Sequence, residues 1–155
     1  MSFGFLGCDP KKTWAPVSAG SVGELPPALG AEGQADGNVY RLVRATQVLD
    51  EYAACFISGD YDARETTTGN DGEHIGIAQV EIPNGHTGWL LVEGEGRVLT
   101  QGGTTVADNL TTQNNGVLAV PQNNNQPDTV GISLFGSRSG GSTGCRVNRP
   151  FLDTR

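Results

Sequence analysis

Short runs of β-branched and aromatic residues, separated by glycine-rich turns, dominate the chain from residue 38 onward. Residues 39–44, 52–57 and 75–82 are such runs, and residues 75–82 alternate strictly between two faces. Further runs occur at 87–93, 97–100, 117–120, 130–135 and 145–151. Strands repeated every ~10 residues are typical of a small β-barrel or β-sandwich. The pattern predicts an all-β, mainly antiparallel domain.

The strongest hairpin signal joins residues 75–82 to residues 87–93. Pro83-Asn84-Gly85 lies between them, and an Asn-Gly pair readily adopts the positive φ angles of a tight turn. Gly94-Glu95-Gly96 predicts a second turn or a bulge before the next run. The best helix candidate extends from Ala45 to Tyr52, because no longer window has a clear 3.6-residue period. Trp89 is expected in the core, where its large ring buries the most area.

Residues 1–37 have a different pattern. Glycine and proline recur there without a period, yet large apolar residues punctuate the segment. A disordered tail usually lacks such aromatics, so we interpret residues 1–37 as an extended N-terminal arm and residues 38–155 as the β domain. The arm's apolar residues could bury against another protein or against the arm's own domain, and the sequence favours neither. The candidate partner contacts are Phe3, Phe5, Leu6 and Trp14.

Composition excludes some classes of partner. The net charge of −7 predicts no nucleic-acid binding, since an acidic chain repels phosphate. No apolar stretch is long enough to span a membrane, and no basic leader precedes the first apolar run, so we expect no membrane association and no secretion. Three widely spaced cysteines fit a reducing cytoplasm, and Cys55 lies in an apolar run typical of a core strand.

The candidate chemical residues form no motif. His74 and His86 have no partner at metal-ligand spacing and are predicted to be exposed loop residues. Asp60 and Asp62 could share a cation, but they stand in ordinary turn composition. Residues 70–73 lack the regularly spaced oxygen ligands of a calcium-binding loop. Glu93 and Glu95 share a strand face, but no apolar pocket is predicted around them, so the sequence does not support general acid–base catalysis by this pair. We therefore expect no metal, no cofactor and no catalytic site.

Several short motifs together resemble the small head decoration (cement) proteins of tailed bacteriophages. Residues 36–45 are similar to the "DG-x-x-Y-x-x-V-x-A" opening of such proteins, and Gly76-Ile77-Ala78 followed by Gly88-Trp89 is similar to their central hairpin. The remaining similar segments are residues 63–67, 116–118, 130–132 and 149–151. The resemblance covers residues 36–151 and leaves out most of the arm. Its motifs are glycines and strand lengths, not catalytic residues.

The resemblance implies a structural protein of the virion. Such a protein would bind the major capsid protein on the outer capsid surface, contact other copies of itself, with a trimer as one arrangement, and assemble in the host cytoplasm. One rival reading is a host-surface or glycan-binding fibre or spike component, using exposed Tyr40, Tyr52 and Tyr61 and the loop 122–127. The other is an enzyme on a small barrel, such as a nucleotide hydrolase that would depend on Asp60 or Asp62.

Overall fold

The chain folds into an all-β structure, as the sequence predicted. A computed structural model describes residues 6–17, 24–68, 72–104, 109–122, 126–136 and 141–153. The strands are β1 Leu6–Gly7, β2 Glu32–Ala35, β3 Asn38–Ala45, β4 Ala54–Ile57, β5 Asp62–Glu65, β6 His74–Ala78, β7 Thr87–Thr100, β8 Thr111–Thr112, β9 Leu118–Ala119, β10 Asp128–Leu134 and β11 Gly141–Asp153. One 3₁₀ turn spans Asn114–Gly116, and no helix of the described residues could cross a membrane.

The strands form one mixed, mostly antiparallel sheet and not a clean barrel. Its order is β1-β2-β3-β5-β4-β6-β11-β7-β9-β8, with additional pairings of β3 and β6 to β7 and of β10 to β11. Only the β1–β2, β3–β5 and β7–β9 pairs are parallel among the described strands. The predicted hairpin between β6 and β7 is present, with Ile77 opposite Leu91.

The longest of these strands, β7, changes partner at a bend in its middle. Its first half pairs with β3 and its second half with β11. Gly94 lies between the halves at φ +119°, and the Asn38 side chain hydrogen-bonds both backbone groups of Glu95, at 2.9 and 3.0 Å. The predicted interruption at residues 94–96 is therefore a bend within a continuous strand, because an amide side chain replaces the missing backbone partner.

Both faces of the central strands are buried. Tyr40, Leu42, Trp89 and Leu91 belong to a first core, whereas their neighbours Val43 and Leu90 belong to a second core on the opposite face. The alternation predicted for residues 75–82 has the same basis, since successive strand residues point to opposite faces. The core positions predicted for Trp89, 2% exposed, and for Cys55, fully buried, are confirmed.

The helix predicted from Ala45 to Tyr52 is wrong. β3 runs through Ala45, and Leu49 then exchanges two backbone hydrogen bonds with Ile82, each 2.9 Å. Tyr52 adopts φ +66° and donates its backbone N–H to Ala78 at 2.7 Å. Ala45 and Leu49 both bury in the second core. Their four-residue spacing imitates a helix, but pairing with the segment that follows β6 keeps the backbone extended.

The described part of the arm pairs within itself and with the β domain. β1 lies parallel to β2, and Trp14 exchanges backbone hydrogen bonds of 2.8 and 2.9 Å with Thr87. β2 itself forms a hairpin with β3, through Asp36 and Gly37 at φ +50° and +81°. Two positive φ angles are typical of the tight turns in such hairpins. The expected boundary at residue 37 lies within this turn.

Candidate interaction surface

Trp14 is the predicted contact residue that the structure describes most fully. Its partly buried ring meets the Trp89 ring edge-on, with centroids 6.4 Å apart, and the Lys12 ammonium lies 5.2 Å from the Trp14 centroid. Edge-to-face aromatic pairs and cation–π contacts both favour this arrangement. The backbone bridge to Thr87 positions Trp14, so the arm packs on its own domain at this point.

The other predicted contacts are described less completely. Leu6 contributes its backbone to β1, and its side chain lies outside the described part of the structure. Phe3 and Phe5 lie outside the described residues altogether. Contact of these residues and of Trp14 with a partner stays a prediction.

Within the arm, a slot separates residues 7–14 from residues 24–27, which lead into β2. Residues 7–9, Lys12 and Trp14 line one side, residues 24–27 line the other, and Trp89 completes it. We call this feature the arm slot. Its volume is about 490 Å³, and an ion pair between Lys12 and Glu24 joins its two sides. Leu25 is 69% exposed at its rim. No sequence pattern predicts the arm slot, because residues 24–27 carry no pattern beyond their prolines.

Both tryptophans of the arm slot have a buried indole N–H without an acceptor. Neither Trp14 Nε1 nor Trp89 Nε1 has a hydrogen-bond partner among the described residues. A buried donor left unpaired costs about 1–3 kcal/mol, so such groups are normally paired with protein or with ordered water.

A second candidate surface lies along β10. Among the described strands β10 pairs only with β11, and it carries the exposed side chain of Val130, while Phe135 directly follows it. These side chains are 40% and 54% exposed. Arg146 lies over the Phe135 ring, 5.9 Å from its centroid. Apolar side chains on an edge strand favour association with another chain.

The charged residues of the sheet are arranged in ion pairs between strands. Arg149 contacts both carboxylate oxygens of Glu32, at 2.6 and 3.2 Å, and Arg41 binds the same carboxylate. The hydrogen bond from Arg149 lowers the pKa of Glu32 to about 2, against the opposing effect of burial. Glu93 pairs with Arg149 at 3.4 Å and Glu95 with Arg146 at 2.6 Å. The two carboxylates noted in the sequence thus join β7 to β11.

Arg41 and Arg149 also line a pocket of about 330 Å³ with Tyr61 and His74. Tyr61 and Arg149 both adopt positive φ angles, +60° and +44°, which are uncommon for residues other than glycine. The guanidinium groups of both arginines are engaged by Glu32. Arg149 also pairs with Glu93 at 3.4 Å, whereas the Nε atom of Arg41 is buried without a hydrogen-bond partner among the described residues.

The candidate chemical residues are scattered. His74 is exposed, at the first position of β6, whereas His86 is partly buried, so its predicted exposure is wrong. The backbone carbonyl of His86 accepts a bond from Ala45, which holds its loop against β3. Asp62 pairs with Arg44 at 2.6 Å. Across the described ranges, no three His, Cys, Asp or Glu side chains form a group that could hold a metal ion.

The tyrosines and cysteines also differ in exposure. Tyr40, expected to be exposed, is 6% exposed because it packs in the first core, while Tyr52 and Tyr61 are partly buried. Burial raises the pKa of the Cys145 thiol to about 12 and raises that of Cys55 as well. A raised pKa disfavours the thiolate, which is the nucleophilic form of cysteine.

One solved structure is informative about this fold. It is the N base of the head fibre protein gp8.5 of bacteriophage phi29, which matches 74% of this chain and 97% of its own chain with a TM-score of 0.52. The two proteins share a fold. Their sequences are 17% identical. No model of a known protein family matches the chain, and no curated protein matches it in sequence.

Proposed function

We propose that the protein is a structural component of a bacteriophage virion that binds the outer surface of the capsid shell and stabilises it. The observation that carries this proposal is the fold shared with the phi29 head fibre base, over 97% of that chain. Shared fold supports a function only by analogy. The resemblance of residues 36–151 to head decoration proteins is a second, independent argument from sequence.

The surfaces of the molecule support a binding role. The β10 edge carries exposed apolar side chains, and the arm slot is formed by two parts of the N-terminal arm together with Trp89. A small domain that binds the assembled shell but not its separated subunits stabilises the shell by mass action. The proposed partners are the major capsid protein and further copies of this chain, with a trimer as one arrangement of the copies.

The second candidate is a fibre or spike component that binds a host surface or a glycan. It is favoured by the phi29 neighbour, which is a fibre base. The burial of Tyr40 removes one of the three tyrosines expected to contact sugars. A fibre base and a decoration protein would both occupy the head surface, but only the decoration protein needs to strengthen the shell.

The test uses heads that lack the protein. Purified protein is added to such heads, and its position is determined by cryo-electron microscopy while DNA release is followed during heating. A decoration protein occupies fixed symmetry positions and raises the temperature of DNA release. Occupancy without any rise supports the fibre base, and binding to a glycan array supports the host-surface role. Absence from the heads contradicts both virion assignments.

The test of the arm as an anchor must remove only residues 1–5, because a truncation that extends past Trp14 also removes contacts that hold the arm to its own domain. Removing residues 1–5 leaves β1 and the Trp14–Thr87 bridge in place, whereas removing residues 1–15 deletes both. If Phe3 and Phe5 anchor the partner, removal of residues 1–5 abolishes head binding and leaves the melting temperature unchanged. Wild-type binding by this variant would refute the anchoring role of these two residues.

A further inference from the structure

The pocket beside Arg41 and Arg149 combines an apolar lining with hydrogen-bond donors. Its volume is about 330 Å³, and we call it the arginine pocket. The apolar part of the lining comes from Ile57, Ile75, Val92 and Pro150. The other described lining residues are arginine, histidine, tyrosine, serine and glycine, so none of them is acidic, although the whole chain has a net charge of −7. Such a combination is typical of a small-ligand site.

Arg41 keeps hydrogen-bond donors that its own chain does not use. Within the described part of the chain, its side chain donates one hydrogen bond, from Nη2 to Glu32. The Nε atom is buried, so no ligand can reach it. The side chain as a whole is 29% exposed, and Nη1 is neither hydrogen-bonded nor buried. A guanidinium only donates, so the accessible Nη1 end requires an acceptor.

The Tyr61 hydroxyl is a second accessible donor, and its ring is held in place. The hydroxyl is not buried and has no partner among the residues that the structure describes. The ring packs so closely on Gly30 that a Cβ there would lie 2.3 Å from it, and the Arg41 guanidinium lies 5.8 Å from its centroid. Tyr61 and Arg149, which both line the pocket, have positive φ angles, and such strained residues cluster at binding sites.

The surrounding charges decide the class of ligand. Glu32 binds both guanidinium groups and Glu93 pairs with Arg149, but neither carboxylate lines the pocket. The donors therefore favour an anion over a cation. Because the two carboxylates offset the charge of the two arginines, a single negative charge is accommodated more easily than a dianion. A bare inorganic ion would leave the apolar lining uncovered, so the ligand also needs an apolar part.

We propose that the arginine pocket binds an organic carboxylate with a compact apolar body. Its charged end accepts hydrogen bonds from Arg41 Nη1 and the Tyr61 hydroxyl, while its body covers the partly exposed side chain of Ile57. Two sources carry this chemistry, a free small acid and the C-terminal residue of a polypeptide. The inference goes beyond the virion assignment and does not rest on it, because it depends only on the contacts of the pocket.

The test titrates the ¹⁵N-labelled chain with N-acetyl-leucine at millimolar concentration and follows ¹⁵N–¹H correlation spectra. N-acetyl-leucinamide has the same body without the charge, and acetate has the charge without the body. N-acetyl-leucine should shift the amide signals of Gly59, Tyr61 and His74 saturably, and the other two compounds should bind about tenfold more weakly. Equal affinity for the three compounds, or no saturable shift with N-acetyl-leucine, overturns the proposal.

An N-acetylated tripeptide that ends in leucine distinguishes the two sources. If it binds at least as tightly as N-acetyl-leucine, the pocket accepts the end of a polypeptide. Weaker binding of the tripeptide assigns the pocket to a free acid, because the added residues then meet no room beyond the pocket.

Three variants then assign the contacts, and amide signals outside the pocket confirm the fold of each. Arg41→Gln removes the accessible charge and should weaken binding about tenfold. Glu32→Gln removes the carboxylate that competes for both guanidinium groups, so it should strengthen binding. Arg44→Gln is the matched control, because Arg44 is also on β3 and pairs with Asp62 at 2.6 Å but does not line the pocket. Equal weakening by the two arginine variants, or no gain from Glu32→Gln, would show that the cluster has only a structural role.

Discussion

Trp89 has the largest buried side chain of the first core among the described residues. Its 2% exposed ring meets Trp14 and packs among the side chains of β3, β6 and β11. Replacing a buried tryptophan with alanine leaves a cavity that costs about 3–5 kcal/mol. We expect Trp89→Ala to lower the free energy of unfolding in urea by this amount. The partly buried Trp14 gives the control, since Trp14→Ala should cost less. Equal losses would contradict the core placement.

Glu32 should make the free energy of unfolding depend on pH in the acid range. The hydrogen bond from Arg149 sets the pKa of Glu32 to about 2 in the folded chain, below its ordinary value of 4.5. A lowered folded pKa gives stability that is present above pH ~4.5 and is lost as the pH falls toward ~2. Thermal melts of Glu32→Gln should therefore show lower stability than wild type at neutral pH and a smaller decline across this window.

Glu95→Gln is the matched control for the acid experiment. The Glu95–Arg146 pair is more than half exposed on both sides, and exposed ion pairs contribute about 0–1 kcal/mol. The melting temperature of Glu95→Gln should depend on pH in the same way as that of the wild type. If Glu95→Gln flattens the acid decline as much as Glu32→Gln does, the decline does not come from the Arg41–Glu32–Arg149 cluster.

The bend in β7 depends on Gly94. A Cβ at this position would lie 2.0 Å from the Asn38 Oδ1, and φ +119° disfavours any other residue. Gly94→Ala should therefore displace the Asn38 amide and leave the Glu95 backbone groups unpaired. Gly37→Ala is the control, because φ there is +81° but no atom lies within 4 Å of the added Cβ. Gly94→Ala should cost about 1–3 kcal/mol more in urea unfolding. Equal costs would count against this role.

The strands could be predicted from local pattern, but their partners could not. Residues 75–82 alternate, and the expected hairpin with β7 follows from the Asn84-Gly85 turn. In contrast, β7 pairs with β11 across about 50 residues of sequence, with Glu95 opposite Arg146. Nothing local encodes such a pairing. The helix predicted at residues 45–52 is wrong for the same reason, since pairing with the distant residue Ile82 keeps Leu49 extended.

The candidate surface was predictable only in part. Trp14 stood out in an aperiodic arm because a disordered tail usually lacks such aromatics, and the structure brings it to Trp89. The opposite side of the arm slot, residues 24–27, approaches through the path of the arm and not through any sequence pattern. Likewise, the exposed position of Val130 follows from the edge location of β10, which depends on the order of the strands.

At the scale of the whole molecule, the two cores should unfold together. β3, β4, β6 and β7 each place alternate residues in both cores, so neither core can open without losing strands of the other. Cys55 belongs to the second core and Cys145 to the first, and both are fully buried. Each thiol therefore reports on one core, while the partly exposed Cys8 reports on the arm.

Alkylation with iodoacetamide, resolved by mass spectrometry of each cysteine peptide, measures this coupling. Cys8 should react from the native state, more slowly than a free thiol because burial and Asp9 raise its pKa. Cys55 and Cys145 should react only after global unfolding, with equal rates and the same steep increase with urea. Faster labelling of Cys55 alone would show that the second core opens independently. Equal rates would establish that the alternating strands, which bury both of their faces, make the sheet one cooperative unit.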